Sequence, residues 1–220
     1  MTITLIHPSR GRHNKAYDTF TTWLHRSSGL HKIEHILSVD SDDTQLNWYV
    51  ALFASSPRTT ILISPNENVV QATNIAAKES TGDLLMYMSD DFMCPYNWDR
   101  SLIEVYEKNR EYGYPCLIKV DDGLQKFDVP VLTIPIMDRC LYEALGYFWR
   151  PEYASMFVDE DLFQTCKKHN WIVNAPELVF EHQHCSVGKA VRDETYIRSE
   201  ANWDSGKAIY ERRKAEGFPL

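Results

Sequence analysis

No CxxC pair, no long apolar run and no internal repeat occurs in this 220-residue chain. The five cysteines, Cys94, Cys116, Cys140, Cys166 and Cys185, are odd in number and widely spaced. They suggest neither a disulfide framework nor a zinc knuckle, and they fit a reducing, cytosolic compartment. No apolar stretch approaches the roughly 20 residues that span a bilayer. Met1 to His7 lead straight into polar Pro8-Ser9-Arg10-Gly11-Arg12, so no secretory signal is expected. Positive charge is scarce: 23 Lys and Arg face 31 Asp and Glu, for a net charge of −8. Overall charge therefore gives no hold on nucleic acid, although a local basic patch stays open. No low-complexity linker marks a boundary, and 44% hydrophobic residues suffice for the core of one domain.

What is present begins with Leu84-Leu85-Met86-Tyr87-Met88-Ser89-Asp90-Asp91-Phe92. An apolar run bounded by Gly82-Asp83 and Pro95 reads as a buried strand. It ends in two adjacent carboxylates, whose burial is unfavourable unless positive charge meets them. A divalent cation carrying a phosphorylated ligand would do so, because Mg²⁺ is typically held by one or two carboxylates plus substrate phosphates.

Ile3 to His7, Ile33 to Val39 and Thr60 to Ile63 read as three earlier strands. Asn14 is expected to cap a helix with Tyr17, Phe20, Trp23 and Leu24 on its apolar side, and Asn68 one running to about Ser80. Later come helices over Trp98 to Tyr112, Arg139 to Leu145 and Asp159 to about His169. Strands are expected at Cys116 to Val120, Val131 to Ile136, Trp171 to Val173 and Leu178 to Phe180, and a helical tail from Asp193 to Glu216. The alternation predicts an α/β architecture with a mainly parallel sheet. Pro8-Ser9-Arg10, Asp40-Ser41-Asp42-Asp43 and Ser89-Asp90-Asp91 follow three of the strands, where open α/β sheets bind ligands.

The order and spacing of these pieces resemble the glycosyltransferases of the GT-A fold, particularly the large inverting family 2. The resemblance runs from Thr2 to His184. Ile3 to Arg12 is similar to the family's first strand and nucleotide loop, and Val39-Asp40 to its second strand end. Asn68 to Asp91 resembles its helix, Gly-Asp and apolar strand into the DXD motif. Met137 to Phe148 resembles the segment before the catalytic acids, and Val158-Asp159-Glu160-Asp161-Leu162 the acidic motif itself. Two departures stand out: Ser89 occupies the first DXD position, and Val158 replaces the Glu of the acidic motif.

The resemblance implies a single domain. Residues 1–92 would form a nucleotide-binding half, 93–185 an acceptor and catalytic half, and 186–220 a helical tail or lid. It implies a nucleotide-diphosphate sugar as donor, a UDP-sugar being favoured, and Mn²⁺ or Mg²⁺ as cofactor. Asp91 would bind the metal, with His182 or His184 as a second ligand. Asp159 or Asp161 would be the general base, depending on register. Pro8, Ser9, Arg10, Arg12, Asp40, Asp42, Asn74, Lys78, Ser89 and Asp90 would contact the nucleotide sugar, and Lys189 and Arg192, with Arg198, would close over the diphosphate. The acceptor would be a soluble glycan or a modified, phage-type DNA base. Arg10, Arg12, His13 and Lys15 keep the DNA branch open. A nucleotidyltransferase is a poorer match, because it normally has a Gly-rich phosphate loop with an early Lys. A non-catalytic nucleotide-sugar binding module is the third reading.

Overall fold

The computed structural model describes residues 1–110 and 114–220. Seven strands form one mixed sheet: β1 (Thr2–Ser9), β2 (Lys32–Asp40), β3 (Thr59–Ser64), β4 (Leu84–Tyr87), then, past a short β5 (Phe92–Met93), β6 (Leu117–Asp121), β7 (Ile136–Asp138) and β8 (Ile172–Val179). Their spatial order is β3-β2-β1-β4-β7-β6-β8. The first four are parallel, β7 runs against both its neighbours, and β6 and β8 are parallel again. The fold is thus the expected α/β architecture with a mainly parallel sheet. A separate ribbon pairs β5 with β9 (Glu181–His182).

Strand β1 sits between β2 and β4, and Ile3, Leu5 and Ile6 on it are fully buried. A central parallel strand is covered on both faces, which explains its nearly unbroken apolar sequence. Helices α1 (His13–Arg26), α2 (Leu46–Phe53), α3 (Val69–Lys78), α4 (Trp98–Asn109), α5 (Arg139–Leu145) and α6 (Val158–Lys168) connect the strands. The chain ends in α7 (Glu194–Glu200) and α8 (Trp203–Ala215). The Asn68 side chain accepts from Gln71 N–H at 2.9 Å and caps α3 as its sequence predicts. Gly146, at φ 76°, closes α5 in the left-handed conformation that favours glycine. Gly82 is fixed by space: a Cβ there would lie 2.4 Å from Thr4 Oγ1.

Four expectations change. Asn14 does not cap α1, which starts at His13; the preceding Arg12 N–H donates instead to the Tyr49 hydroxyl at 2.8 Å. Helix α2 was not expected, although Tyr49 and Phe53 are buried one turn apart. Residues 131–135 are not strand; they lie in a loop between Pro130 and Pro135, which lack the N–H a ladder needs. Trp171 to Phe180 yields one strand, with an irregularity between its pairings to Val120 and Asp121, beside Pro176. Helix α4 is described to Asn109, and its expected end at Tyr112 lies outside the described residues.

Candidate active site

The two carboxylates after β4 point in different directions. Both are buried, and Asp90 turns toward β1. Its carboxylate accepts from Ser9 Oγ at 3.0 Å and lies 2.8 Å from His7 Nε2, and its backbone carbonyl takes the Thr19 hydroxyl at 2.7 Å. Asp90 and Ser9, expected to touch a nucleotide, here bond each other. Pro8 lies within β1 and offers no polar side-chain atom.

Asp91 turns the other way. Its oxygens accept from Ser89 Oγ and from the Tyr196 hydroxyl, both at 2.7 Å, and His182 Nε2 lies 3.6 Å away. Burial opposes its ionisation, but His182, Tyr196 and Ser89 outweigh burial and hold the carboxyl well below the usual range. The His182 and His184 rings lie 4.8 Å apart, although β9 ends at His182 and His184 lies past it. Burial and the neighbouring His182 lower the pKa of His184, which keeps that ring neutral. His184 Nδ1 accepts from Ser186 N–H at 3.1 Å, so the proton of the neutral ring sits on Nε2. His182 Nδ1 is buried and without a partner.

Among the described residues, no three His, Cys, Asp or Glu side chains form a ready-made metal cage. One carboxylate facing one imidazole is nevertheless the donor set suited to an ion held largely by substrate phosphates. His182 Nε2 faces Asp91 at 3.6 Å, whereas His184 Nδ1 is turned to Ser186.

The arginines of the loop after β1 are engaged. Arg10 pairs with Asp40 at 2.7 Å and with Asp42. Asp40 also accepts from Asn66 Nδ2 at 2.9 Å. Arg12 makes a two-pronged pair with Asp193 at 2.7 and 2.6 Å and lies over the Tyr196 ring, 4.8 Å from its centroid. Asp193 and Tyr196 thus lay the start of α7 across Arg12 and Asp91. Lys189 and Arg192, expected to face a diphosphate, are exposed pairs with Glu181 and Glu200. Asp193, Tyr196, Tyr49 and Asn66 were not expected here. A tyrosine 105 residues from its carboxylate leaves no local signal in a sequence.

The acidic triplet separates as well. Asp159 is half-buried near the start of α6. Burial pushes its carboxyl up to about 6 against backbone N–H groups of Glu160, Asp159 and Leu132. Asp161 is buried instead, where Arg213 Nε donates to it at 2.9 Å, Tyr153 OH at 3.0 Å and Thr165 Oγ1 at 3.3 Å. It is a structural anion with no open face. Tyr87, at the end of β4, feels the charges of Asp91, Asp90 and Asp159 together, which raises its hydroxyl pKa beyond what burial alone does.

Two further expectations are corrected. Asn74 accepts from Phe148 and Trp149 N–H at 3.0 and 2.9 Å and donates to Trp149 O at 2.7 Å, so its amide fixes a loop. Lys78 ends α3, which runs back against the parallel strands. Its neighbours Thr81 and Gly82 bond Glu34 and Thr4 near the starts of β2 and β1, at the sheet edge away from the carboxylates. Phe148, Trp149 and Tyr153 are core residues.

Glycosyl transferase family 2 matches the sequence over residues 10–173. The chain belongs to that family. Solved transferases share its fold. One is a mannosyltransferase from Pyrobaculum calidifontis in complex with GDP-Man and Mn²⁺, with a TM-score of 0.66, 15% identity, and 88% of this chain and 58% of that one covered. S. aureus TarS 1–349 gives a TM-score of 0.62 at 12% identity, with 83% and 61% covered. The same protein in complex with UDP-GlcNAc gives 0.62 at 11%, with 90% and 64% covered. This family member spans about three fifths of the length of those structures. No curated protein matches it. Among its described residues, no helix is long and apolar enough to cross a membrane.

Proposed function

We propose that this chain is a metal-dependent, inverting glycosyltransferase with Asp159 as its general base. The carrying observation is Asp91, held by Ser89 and Tyr196 and facing His182 at 3.6 Å, in a chain of glycosyl transferase family 2; burial raises the Asp159 carboxyl to about 6. A base works best when its pKa lies near the operating pH, and burial has moved Asp159 toward that range.

In this reading the donor diphosphate lies between Arg12 and Asp91. Mn²⁺ or Mg²⁺ would be held by Asp91 and His182 Nε2 and would act as a Lewis acid on the departing diphosphate. His184 Nε2–H donates to a phosphate oxygen. Asp40, oriented by Asn66 and Arg10, accepts an N–H of the nucleobase. That chemistry suits the N3–H of uracil and keeps a UDP-sugar as the favoured donor. Asp159 takes the proton of the acceptor hydroxyl. The oxygen then attacks the anomeric carbon as the bond to the diphosphate breaks, inverting that carbon.

The acceptor is a glycan rather than DNA in this reading. Arg10 and Arg12 are already neutralised by aspartates, and the His13 ring bonds Gln45 at 2.6 Å. Little free positive charge remains there to meet a phosphate backbone.

Thermal shift against UDP- and GDP-sugars, each with and without Mn²⁺, tests the reading. A donor at 100 times its dissociation constant adds about 2.7 kcal/mol, a rise of roughly 5–10 °C for a chain this size. The shift should require the metal and vanish in Asp91→Asn. Absence of any donor-dependent shift would leave a non-catalytic fold.

The start of α7 acts as a lid in this reading. Its Asp193 holds Arg12 as a phosphate would, and Tyr196 covers an Asp91 oxygen the metal needs. Donor binding must displace both. Asp193→Asn should therefore lower the donor KM about fivefold, a differential of about 1 kcal/mol between lid positions, with kcat little changed. A raised KM would mean that Asp193 helps closure.

A further inference from the structure

We propose that His7 is a positioning residue, the inner link of a buried hydrogen-bond chain from Ser56 through Thr59 and His35 to Asp90, and that this chain aims Asp91 at the metal. The proposal rests on the transferase reading.

His7 on β1 and His35 on β2 are both fully buried. An aliphatic side chain would fill such strand positions without desolvating a polar ring. Yet every ring nitrogen has a partner. His7 Nε2 lies 2.8 Å from Asp90 Oδ1, His7 Nδ1 lies 3.0 Å from His35 Nε2, and His35 Nδ1 lies 3.0 Å from Thr59 Oγ1. Thr59 in turn meets Ser56 Oγ at 2.8 Å.

A carboxylate only accepts, so His7 Nε2 donates to Asp90. Burial lowers the pKa of His35 well below its usual value. His7 Nδ1 and His35 Nε2 share the next bond, His35 Nδ1 and the Thr59 hydroxyl the one after, and Ser56 ends the chain at the rim.

A second chain converges on the other oxygen. Ser9 Oγ donates to Asp90 Oδ2 at 3.0 Å, so Ser9 accepts from the Tyr49 hydroxyl at 2.8 Å. Tyr49 accepts from Arg12 N–H at 2.8 Å. Asp90 is thus an anchor gripped from two sides. With its carboxylate fixed toward β1, the turn Met88-Ser89-Asp90-Asp91 leaves the next carboxylate facing His182. Both grips end on one carboxylate, and hydrogen bonds to charged groups are stronger than neutral ones, so loss of the His7 link is felt at Asp90 directly.

The experiment compares the unmutated chain, His7→Leu, His7→Gln and Thr59→Val by titrating Mn²⁺ into each with UDP or GDP and reading nucleotide binding. Loss of the charge-assisted bond in His7→Leu should raise the Mn²⁺ midpoint about tenfold, with metal-free nucleotide affinity unchanged. His7→Gln, whose amide can donate to Asp90, should recover most of the loss. Thr59→Val, at the far rim, should raise the midpoint about threefold and serves if His7→Leu does not fold. A merely structural role would lower the melting temperature without moving the metal midpoint. A folded His7→Leu, or Thr59→Val in its place, with the parent's midpoint overturns the proposal alone. Absence of Mn²⁺-dependent nucleotide binding in the unmutated chain overturns the transferase reading and this proposal together.

Discussion

Asp159→Asn should abolish transfer and leave the protein at least as stable as its parent above pH 6. The two halves of this expectation have one cause. The fold disfavours the ionised carboxylate, and burial raises its pKa from 3.8 to about 6. The native state then binds a proton more tightly than the unfolded chain does, so stability falls as pH rises from about 4 to 6. A shift of about two units amounts to roughly 3 kcal/mol at most. Asparagine removes that charge while its carbonyl still accepts the backbone N–H groups, so melting above pH 6 should be unchanged or higher. Loss of a general base lowers kcat by about 10²–10⁴. The parent's rate should fall on the acid side with an apparent pKa near 6. A pH–rate profile and melting curves from pH 4 to 8 check both halves. Full turnover in the variant would remove Asp159 from the mechanism.

Arg213→Met should destabilise the chain by about 3 kcal/mol, because it removes the main partner of the buried Asp161 charge and leaves only Arg150, 3.5 Å away. Arg213 lies in α8 and is almost wholly buried. Its Nε donates to Asp161 at 2.9 Å, and its Nη1 holds the Pro219 carbonyl at 2.6 Å. It thereby ties the end of the chain to the helix that carries Asp159. Gly206 makes the same docking possible from the other side: a Cβ there would lie 2.4 Å from the Met156 carbonyl. Adding Asp161→Asn to Arg213→Met removes the stranded charge and should recover much of the loss. Denaturant melts of the single and double variants measure it. The double variant should also turn over substrate, since in this reading Asp161 neutralises Arg213 and is not the base. Failure of the folded double variant to react would return Asp161 to the chemistry.

The sequence by itself determined the parallel half of the sheet, the caps of α3 and α5, and the family. Those signals are local: apolar runs of strand length, Asn68 three residues before the N–H it caps, Gly146 at a helix end, and motifs in fixed order. It also brought Ser9, Asp40 and Asp91 to one edge, because parallel strands deliver their ends to the same side. It did not separate Asp90 from Asp91 or Asp159 from Asp161. Adjacent carboxylates look alike until their partners are known, and the partners are distant: His7 and Ser9 for one, Arg213 for another. Only the tertiary structure decided which partners each acid takes. It likewise made Asn74 a loop brace, put Lys78 at the far edge and laid Asp193 and Tyr196 over the site. Charge in a folded chain takes its meaning from burial and from what stands within about 3 Å, and neither is written in the order of residues.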